Sequence, residues 1–220
     1  MVPLRAPAPR GARPLVVGLV GVVAVAMLGT IILLLGNGPT RVDVWWHELM
    51  LAWRTDAGLT VAHALDVIGG TTAMIVIGAA LVAGFLFARR PWGALTVATA
   101  MLASELVTGS MKVLFARPRP PDSLSDVGLT SFPSGHTTLA ATVAIALALL
   151  ISGWLAWTAA AAWVLIIAWS RTYLEAHWLT DVLGGATLGF SMALVTWWVV
   201  VQVRAAVGRR RPDLPIRVIG

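Results

Sequence analysis

The chain has 220 residues, of which 58% are hydrophobic and 12% charged, with a mean hydropathy of +0.85; soluble domains carry about 25% charged residues, so this chain belongs in lipid, where at ~20 residues per span its length holds about six helices. Cysteine is absent, which excludes disulfides, thiolate nucleophiles and thiolate-held metals and leaves oxygen and nitrogen side chains to carry any chemistry. The net charge of +6 lies in short flanks between apolar runs, which suits orientation in an anionic membrane better than nucleic-acid binding.

Residues 1–14 contain Pro3, Pro7, Pro9 and Pro14 among Arg5, Arg10 and Arg13, so they cannot sustain a helix and are expected to form a disordered cytoplasmic tail. The uncharged stretch from Pro14 to Thr40 has no small-residue cleavage site behind a short core. It is therefore a retained first helix, Leu15 to Leu35, rather than a signal peptide, and it stops at the turn residues Gly36, Asn37, Gly38 and Pro39.

Between Thr40 and Asp66 the tryptophans Trp45, Trp46 and Trp53 recur with Leu49 and Met50 at roughly helical spacing among polar residues. That pattern predicts a short amphipathic helix lying in the membrane interface; a loop anchored by tryptophans in the headgroup layer would show similar residues. Helix 2 is the uncharged run Val67 to Ala88, closed by Arg89, Arg90 and Pro91. Helix 3 runs from Trp92 to about Met111 and carries one acid, Glu105.

A polar connection follows from Lys112 to Pro133, with Pro118, Pro120, Pro121 and Pro133 preventing a continuous helix. From Thr137 to Ser170 no charged residue or histidine appears. A single helix of that length would be ~50 Å long against a hydrocarbon core of ~30 Å, so the run must turn, and Ser152-Gly153 is the place. Helix 4 is then Gly135 to Ile151, helix 5 Trp154 to about Ser170, and helix 6 Val182 to Val203, followed by Arg204, Arg209, Arg210 and Arg211.

The fold class is all-α, a six-helix transmembrane bundle over 15–204 with a basic cytoplasmic tail at 205–220. With the N-terminus inside, cytoplasmic segments hold ten arginines and one acid, and the opposite segments six basic and eight acidic residues. This asymmetry follows the positive-inside rule, placing both termini in the cytoplasm and the polar motifs at the outer membrane interface.

Those motifs are three. The first is Lys112, six residues, then Arg119-Pro120. The second is Pro133-Ser134-Gly135-His136, opening helix 4. The third is Ser170-Arg171, five residues, His177, three residues, Asp181. The set resembles the type 2 phosphatidic acid phosphatase superfamily, which includes bacterial phosphatidylglycerophosphate and undecaprenyl diphosphate phosphatases, and nothing in the signature departs from that family. The resemblance implies that Lys112, Arg119 and Arg171 hold phosphate oxygens, with Ser134 and Gly135 as further donors. It makes His136 the general acid, His177 the nucleophile and Asp181 its orienter.

The chemistry agrees with these roles. Phosphoryl transfer spreads negative charge over three equatorial oxygens, which three cations match, and a helix N-terminus at Gly135 offers unpaired N–H groups to the anion. His177 and Asp181, four apart, share a face if they open helix 6. Neither metal nor cofactor is expected, because protein cations occupy the places a metal would fill and would repel a divalent ion. Glu105, seven residues before Lys112, is expected to support that cation, line the pocket or make a structural hydrogen bond. Arg117 adds positive field or sits in the headgroups, His47 and His63 are ordinary interfacial or loop residues, and Tyr173 and Glu175 shape the mouth.

The expected partners are a membrane lipid and the bilayer, without nucleic acid or an obligate protein. The expected reaction removes the terminal phosphate of a lipid phosphate or diphosphate, with polyprenyl diphosphate preferred over phosphatidic acid and phosphatidylglycerophosphate. A phosphotransferase would use the same residues with water kept from the second step. A transporter would need broken helices and a site near mid-bilayer, which uninterrupted runs with polar ends disfavour.

Overall fold

A computed structural model describes residues 11–125 and 128–210. Eight helices are found among them: α1 (Arg13–Leu34), α2 (Arg41–Ala52), α3 (Asp56–Gly69), α4 (Thr71–Phe87), α5 (Pro91–Phe115), α6 (Gly135–Ile151), α7 (Trp154–Tyr173) and α8 (Leu179–Arg210). Four of these, α1, α5, α7 and α8, are long and apolar enough to cross a membrane, and α3 with α4 passes as a fifth, bent span. The chain is thus an all-α, multi-span membrane protein. At 17 residues α6 is apolar but shorter than a span of that kind.

Two expectations need correction. The second apolar run is not one uninterrupted helix, because it begins within α3 and bends by 50° at Gly70. Gly70 has the extended angles φ −65° and ψ 156°, so the helical hydrogen-bond ladder stops there and restarts at Thr71. The basic segment after Val203 is not all tail, since α8 continues to Arg210; Arg13 and Pro14 likewise belong to α1, with proline tolerated in the first turn. The rest of the two expected tails, 1–10 and 211–220, lies outside the described residues.

The interfacial segment splits into α2 and α3. Thr40 caps α2, its hydroxyl accepting from the Asp43 N–H while the Asp43 carboxylate accepts from the Thr40 N–H, a reciprocal capping box. Thr55 caps α3 through the Gly58 N–H.

Helix α8 is the central element, packed on α6, α1 and α5, and α6 also carries α7 on its other side. Without a hydrophobic effect between helices in lipid, close backbone approach supplies the packing. At Gly185 a Cβ would lie 2.6 Å from the Ser134 carbonyl oxygen, and at Gly189 2.3 Å from that of Thr138. Only glycine fits there. These two contacts run in register along α6 and α8, so both helices start at the same end of the bundle. At that end Phe115 and Phe132 meet edge to face at 5.5 Å in a cluster with Ile32, Met111 and Leu188. Burying Phe132 ties the loop 116–134 to the helices, and truncating such a ring to alanine costs about 3–5 kcal/mol.

Candidate active site

Helices α5 and α7 end, and α6 and α8 begin, at one end of the bundle, and their termini bring the three motifs together. Lys112, in the last turn of α5, donates from Nζ to the Thr130 carbonyl at 3.0 Å and weakly to that of Ser131 at 3.5 Å. Its aliphatic chain passes Gly135, where a Cβ would lie 3.8 Å from Lys112 Cε. An alanine would therefore fit against the protein at Gly135. Ala116 leaves α5 in the left-handed region at φ 42°, and the loop then pairs Pro118 with Thr130 before reaching Ser134.

Ser134 is the N-cap residue of α6, fully buried, and its N–H donates to the Asp181 carbonyl at 3.0 Å. Its hydroxyl lies 3.1 Å from Thr137 Oγ1 and does not cap the helix, so the first N–H groups of α6 keep their usual lack of an intrahelical partner. Next to it, His136 places Nε2 3.1 Å from Asp66 Oδ1.

His177 is 3% exposed in the α7–α8 loop. Arg119 holds that loop by donating from Nη1 to the Ala176 carbonyl, and it also reaches Nε2 of His177 at 3.0 Å. A guanidinium only donates, so Nε2 accepts and the ring proton sits on Nδ1. That Nδ1 faces Asp181 Oδ2 at 3.5 Å, an ion-pair distance rather than a hydrogen bond. Burial, then the charges of Arg119, Lys112, Arg171 and His136, hold the His177 imidazole well below the ordinary histidine range. The nitrogen that faces Arg119 is consequently unprotonated at neutral pH.

Asp181 is fully buried and fixed by two hydrogen bonds: Trp178 N–H donates to Oδ2 at 2.9 Å and Arg117 Nη1 donates to Oδ1 at 2.7 Å. Arg117 corrects the sequence expectation. It is neither in the headgroups nor free to add positive field, because it is wholly buried and paired with two carboxylates, Asp181 and Asp43, the latter at 2.8 Å. The reason is α2, which carries Asp43 into the interior, where the carboxylate also accepts from the Thr180 N–H and hydroxyl. Burial opposes that charge, yet hydrogen bonds from Thr180, Thr40 and Arg117 outweigh it and hold the Asp43 carboxyl below the usual range.

Arg171 is also fully buried, in contact with Asp66 through Nη1. Its Nε and Nη2 have no hydrogen-bond partner among the described residues. A buried guanidinium with two unused donors is a costly group in isolation and a good one for an oxyanion. Glu105 lies half-buried two turns below Lys112 on α5, and the two charges act on one another, while Lys112 spends its hydrogen bonds on the loop carbonyls.

Sequence reasoning passed over Asp66 and Asp43. Asp66 takes His136, Arg171 and Ser125, the last at 2.6 Å, and so joins the second and third motifs. Asp43 carried a readable signal, the Thr40-x-x-Asp43 capping pattern, but Asp66 became significant only when α3 bent back at Gly70. His47 is also more than an interfacial residue. It contacts Glu175, lies 3.5 Å from Asp122 and stacks obliquely on Trp178 at 5.4 Å, while His63 stays exposed on α3. Glu175, 1% exposed beside Arg54, is pushed up to about 8 by burial and the nearby charge of Asp122. Tyr173 is buried and ties α7 to the α2–α3 turn, accepting from the Thr55 N–H and donating to the Trp53 carbonyl.

The family model for the PAP2 superfamily matches residues 93–205. YbjG of Escherichia coli (strain K12), provisionally named an undecaprenyl-diphosphatase, is 35% identical over 103 residues, 42% of this chain and 50% of that protein. Phosphatidylglycerophosphatase B of Bacillus subtilis (strain 168) is 27% identical over 147 residues, 62% of this chain and 70% of that one. The match thus spans half the length of the first relative. Among solved structures, a transmembrane PAP2-type phosphatidylglycerolphosphate phosphatase from Bacillus subtilis superposes with a TM-score of 0.70 at 21% identity, covering 90% of this chain and 98% of that chain. LpxE from Aquifex aeolicus gives 0.60 at 22% identity, covering 70% and 93%.

Proposed function

Because the chain belongs to the PAP2 superfamily, whose family model covers half of it, we propose that it hydrolyses the terminal phosphate of a membrane lipid phosphate or diphosphate through a phosphohistidine on His177. The observation that carries this reading is the 3.0 Å contact of Arg119 Nη1 with Nε2 of the buried His177. That contact makes Nε2 the unprotonated ring nitrogen and sets a cation beside it, and as phosphate binds the guanidinium donor passes from the Nε2 lone pair to a phosphate oxygen, freeing the nitrogen to attack.

A phosphate at this position takes donors from Arg119, Lys112 and the two unused nitrogens of Arg171, together with the α6 N-terminus at Ser134 and Gly135. These neutralise the equatorial oxygens as charge spreads over them. Nε2 of His177 forms the P–N bond while the bond from phosphorus to the leaving oxygen breaks. Asp181 faces the Nδ1 proton and stabilises the imidazolium character that develops. His136, held by Asp66, gives its proton to the leaving oxygen, then takes one from water, which attacks phosphorus and breaks the P–N bond. Inorganic phosphate leaves and both histidines return to their starting state. Protein cations do the work a metal would do, so no metal is required.

In this reading α1, the α3–α4 pair, α5, α6, α7 and α8 make six crossings in one lipid phosphatase domain over 15–204; the four long apolar helices and the bent pair support five of them, and the shorter apolar α6 is counted as the sixth. Arg13, Arg89, Arg90, Arg204 and Arg209, at the helix ends remote from the site, support cytoplasmic termini and a site facing outside. Polyprenyl diphosphate is the preferred substrate, in line with the YbjG likeness, followed by phosphatidylglycerophosphate and phosphatidic acid.

Phosphate release from the three lipids by detergent-solubilised protein tests this. Release is expected to persist in EDTA and to vanish in His177→Ala, and quenched wild-type protein is expected to carry an acid-labile covalent phosphate that His177→Ala lacks. Abolition by chelator, or a phosphoenzyme that survives His177→Ala, would refute the mechanism.

A further inference from the structure

A guanidinium beside a carboxylate commonly takes both of its oxygens with one fork. An Asp181 held in that way would present both oxygens to the arginine rather than one to Nδ1 of His177. Arg117 holds it differently. Its Nη1 donates to Asp181 on Oδ1 alone, at 2.7 Å, and to Thr180 Oγ1 at 2.7 Å. Its Nη2 donates to Asp43 Oδ2 at 2.8 Å and to the Gly38 carbonyl at 3.0 Å. The hydrogens on both Nη atoms are thereby spent, and Asp181 Oδ2 stays turned to His177, with the Trp178 N–H as its hydrogen-bond donor.

Asp43 is the group that draws the arginine aside. It stands on α2, in none of the three motifs, and meets the start of α8 across 137 residues of chain. There Oδ1 accepts from the Thr180 N–H at 2.8 Å and Oδ2 from the Thr180 hydroxyl at 3.0 Å. That N–H is one of the donors a helix start leaves without an intrahelical partner, so the carboxylate sits where α8 favours an anion. Behind it, the capping box with Thr40 fixes Asp43 in the first turn of α2. Asp43, Arg117 and Asp181 are each fully buried, so solvent screens none of these contacts.

Charge points the same way. One guanidinium between two carboxylates leaves one negative charge over. Were Asp181 its sole partner, the pair would be neutral and would offer little to an imidazolium forming on His177. With Asp43 taking a share, a negative charge remains on a trio whose Asp181 end faces Nδ1. We propose that Asp43 is a positioning residue of the reaction: by dividing Arg117 between two carboxylates, it keeps Asp181 charged and aimed at His177 as the P–N bond forms. This rests on the phosphohistidine reading above and takes its nucleophile from it.

Orthovanadate and inorganic phosphate separate positioning from folding. Phosphate meets only the binding donors, whereas vanadium accepts Nε2 of His177 as a fifth ligand, in the geometry of the phosphoryl transition state. Kd for each is read by thermal-shift titration of the full chain in detergent. Wild type is expected to bind vanadate at least about 100-fold more tightly than phosphate, as transition-state analogues bind, and His177→Ala to lose that difference. Asp43→Asn keeps the size of the side chain and removes its charge. It is expected to raise the vanadate Kd at least about tenfold, the scale of coupling inside one hydrogen-bonded network, and to leave the phosphate Kd within about twofold. In protein already carrying Asp181→Asn, the same substitution is expected to change the vanadate Kd by less than about twofold, because it acts through Asp181. For a lipid phosphate, kcat is expected to fall with the vanadate affinity while KM holds.

Equal weakening of both ligands, weakening of neither, or the same weakening with and without Asp181 would make Asp43 a support of the fold alone and overturn the proposal. Should Asp43→Asn fail to fold, Arg117→Lys, a point charge that cannot fork between two carboxylates, replaces it with the same expectations. His177→Ala separates this proposal from the reading it rests on. A vanadate affinity that survives that substitution, or never exceeds the affinity for phosphate, removes the phosphohistidine and the role of Asp43 with it. Vanadate binding that depends on His177 but ignores Asp43 removes the role of Asp43 alone.

Discussion

Replacing Arg119 with glutamine tests the arrangement around His177 most directly. The two side chains are 3.0 Å apart and His177 is 3% exposed. Protonating the ring would set a second positive charge beside the guanidinium, and at an effective dielectric constant of ~20 that repulsion is ~5 kcal/mol at this separation. Charge delocalisation and local relaxation reduce it, but a quarter of it is still about one pH unit. With the His177 imidazole held well below its ordinary range, the proposed mechanism predicts a ring that stays unprotonated as pH falls through the normal histidine range. Activity is expected to be lost only at lower pH. Arg119→Gln removes the first of the causes after burial, so the acid limb of kcat/KM, which reports the free enzyme, is expected to move to higher pH by about one unit or more. Arg119→Lys keeps the charge without the fork; its limb is expected to stay low while KM rises. The assay is initial-rate phosphate release across the acid range, with short-chain substrate to avoid surface effects. An acid limb that does not move in Arg119→Gln, despite a lower plateau, would refute the claim that this guanidinium sets the state of the nucleophile.

Other changes probe the frame around the site. Asp66→Asn removes the acid shared by His136 and Arg171 and is expected to lower kcat at least about 10²-fold, in the range of general acid–base contributions, with a smaller change in KM; an unaltered kcat would remove Asp66 from the mechanism. Asp43→Ala leaves the buried Arg117 with one carboxylate instead of two, for which a loss of about 3 kcal/mol is expected, read as a lower midpoint of thermal unfolding in detergent. Gly189→Ala drives a Cβ to 2.3 Å from the Thr138 carbonyl oxygen, so α6 and α8 must separate. A cost of about 1–3 kcal/mol is expected, together with reduced activity because both helices begin at the site.

The helical runs were legible because composition and breaks act locally. Leu15–Leu35, Gly135–Ile151 and Trp154 onward were readable to within a few residues of α1, α6 and α7: uncharged stretches need a helix in lipid, and Ser152-Gly153 is a turn whichever neighbours surround it. The motif residues were legible for a related reason, since cations and histidines at the ends of apolar runs must meet water or an anion. The bend at Gly70 was not. A Gly-Gly pair in an apolar run is compatible with a continuous helix, and only the packing of α3 against α7 makes the break preferable.

The sequence by itself determined the class of protein, the positions of the apolar helices and the polar motifs that the helix ends bring together. Tertiary structure alone decided which carboxylates serve them. Arg117 meets Asp43 across 74 residues of chain, and Arg171 meets Asp66 across 105. Periodicity reports which side of its own helix a residue occupies, whereas the partner of a buried charge depends on how distant helices cross. In a low-dielectric interior that partner determines whether the charge is available to a ligand or already neutralised. Arg117 and Arg171 sit in like surroundings in the sequence, each beside an apolar run, and only the fold gives the first two carboxylates and one unused donor, Nε, and the second one carboxylate and two unused donors.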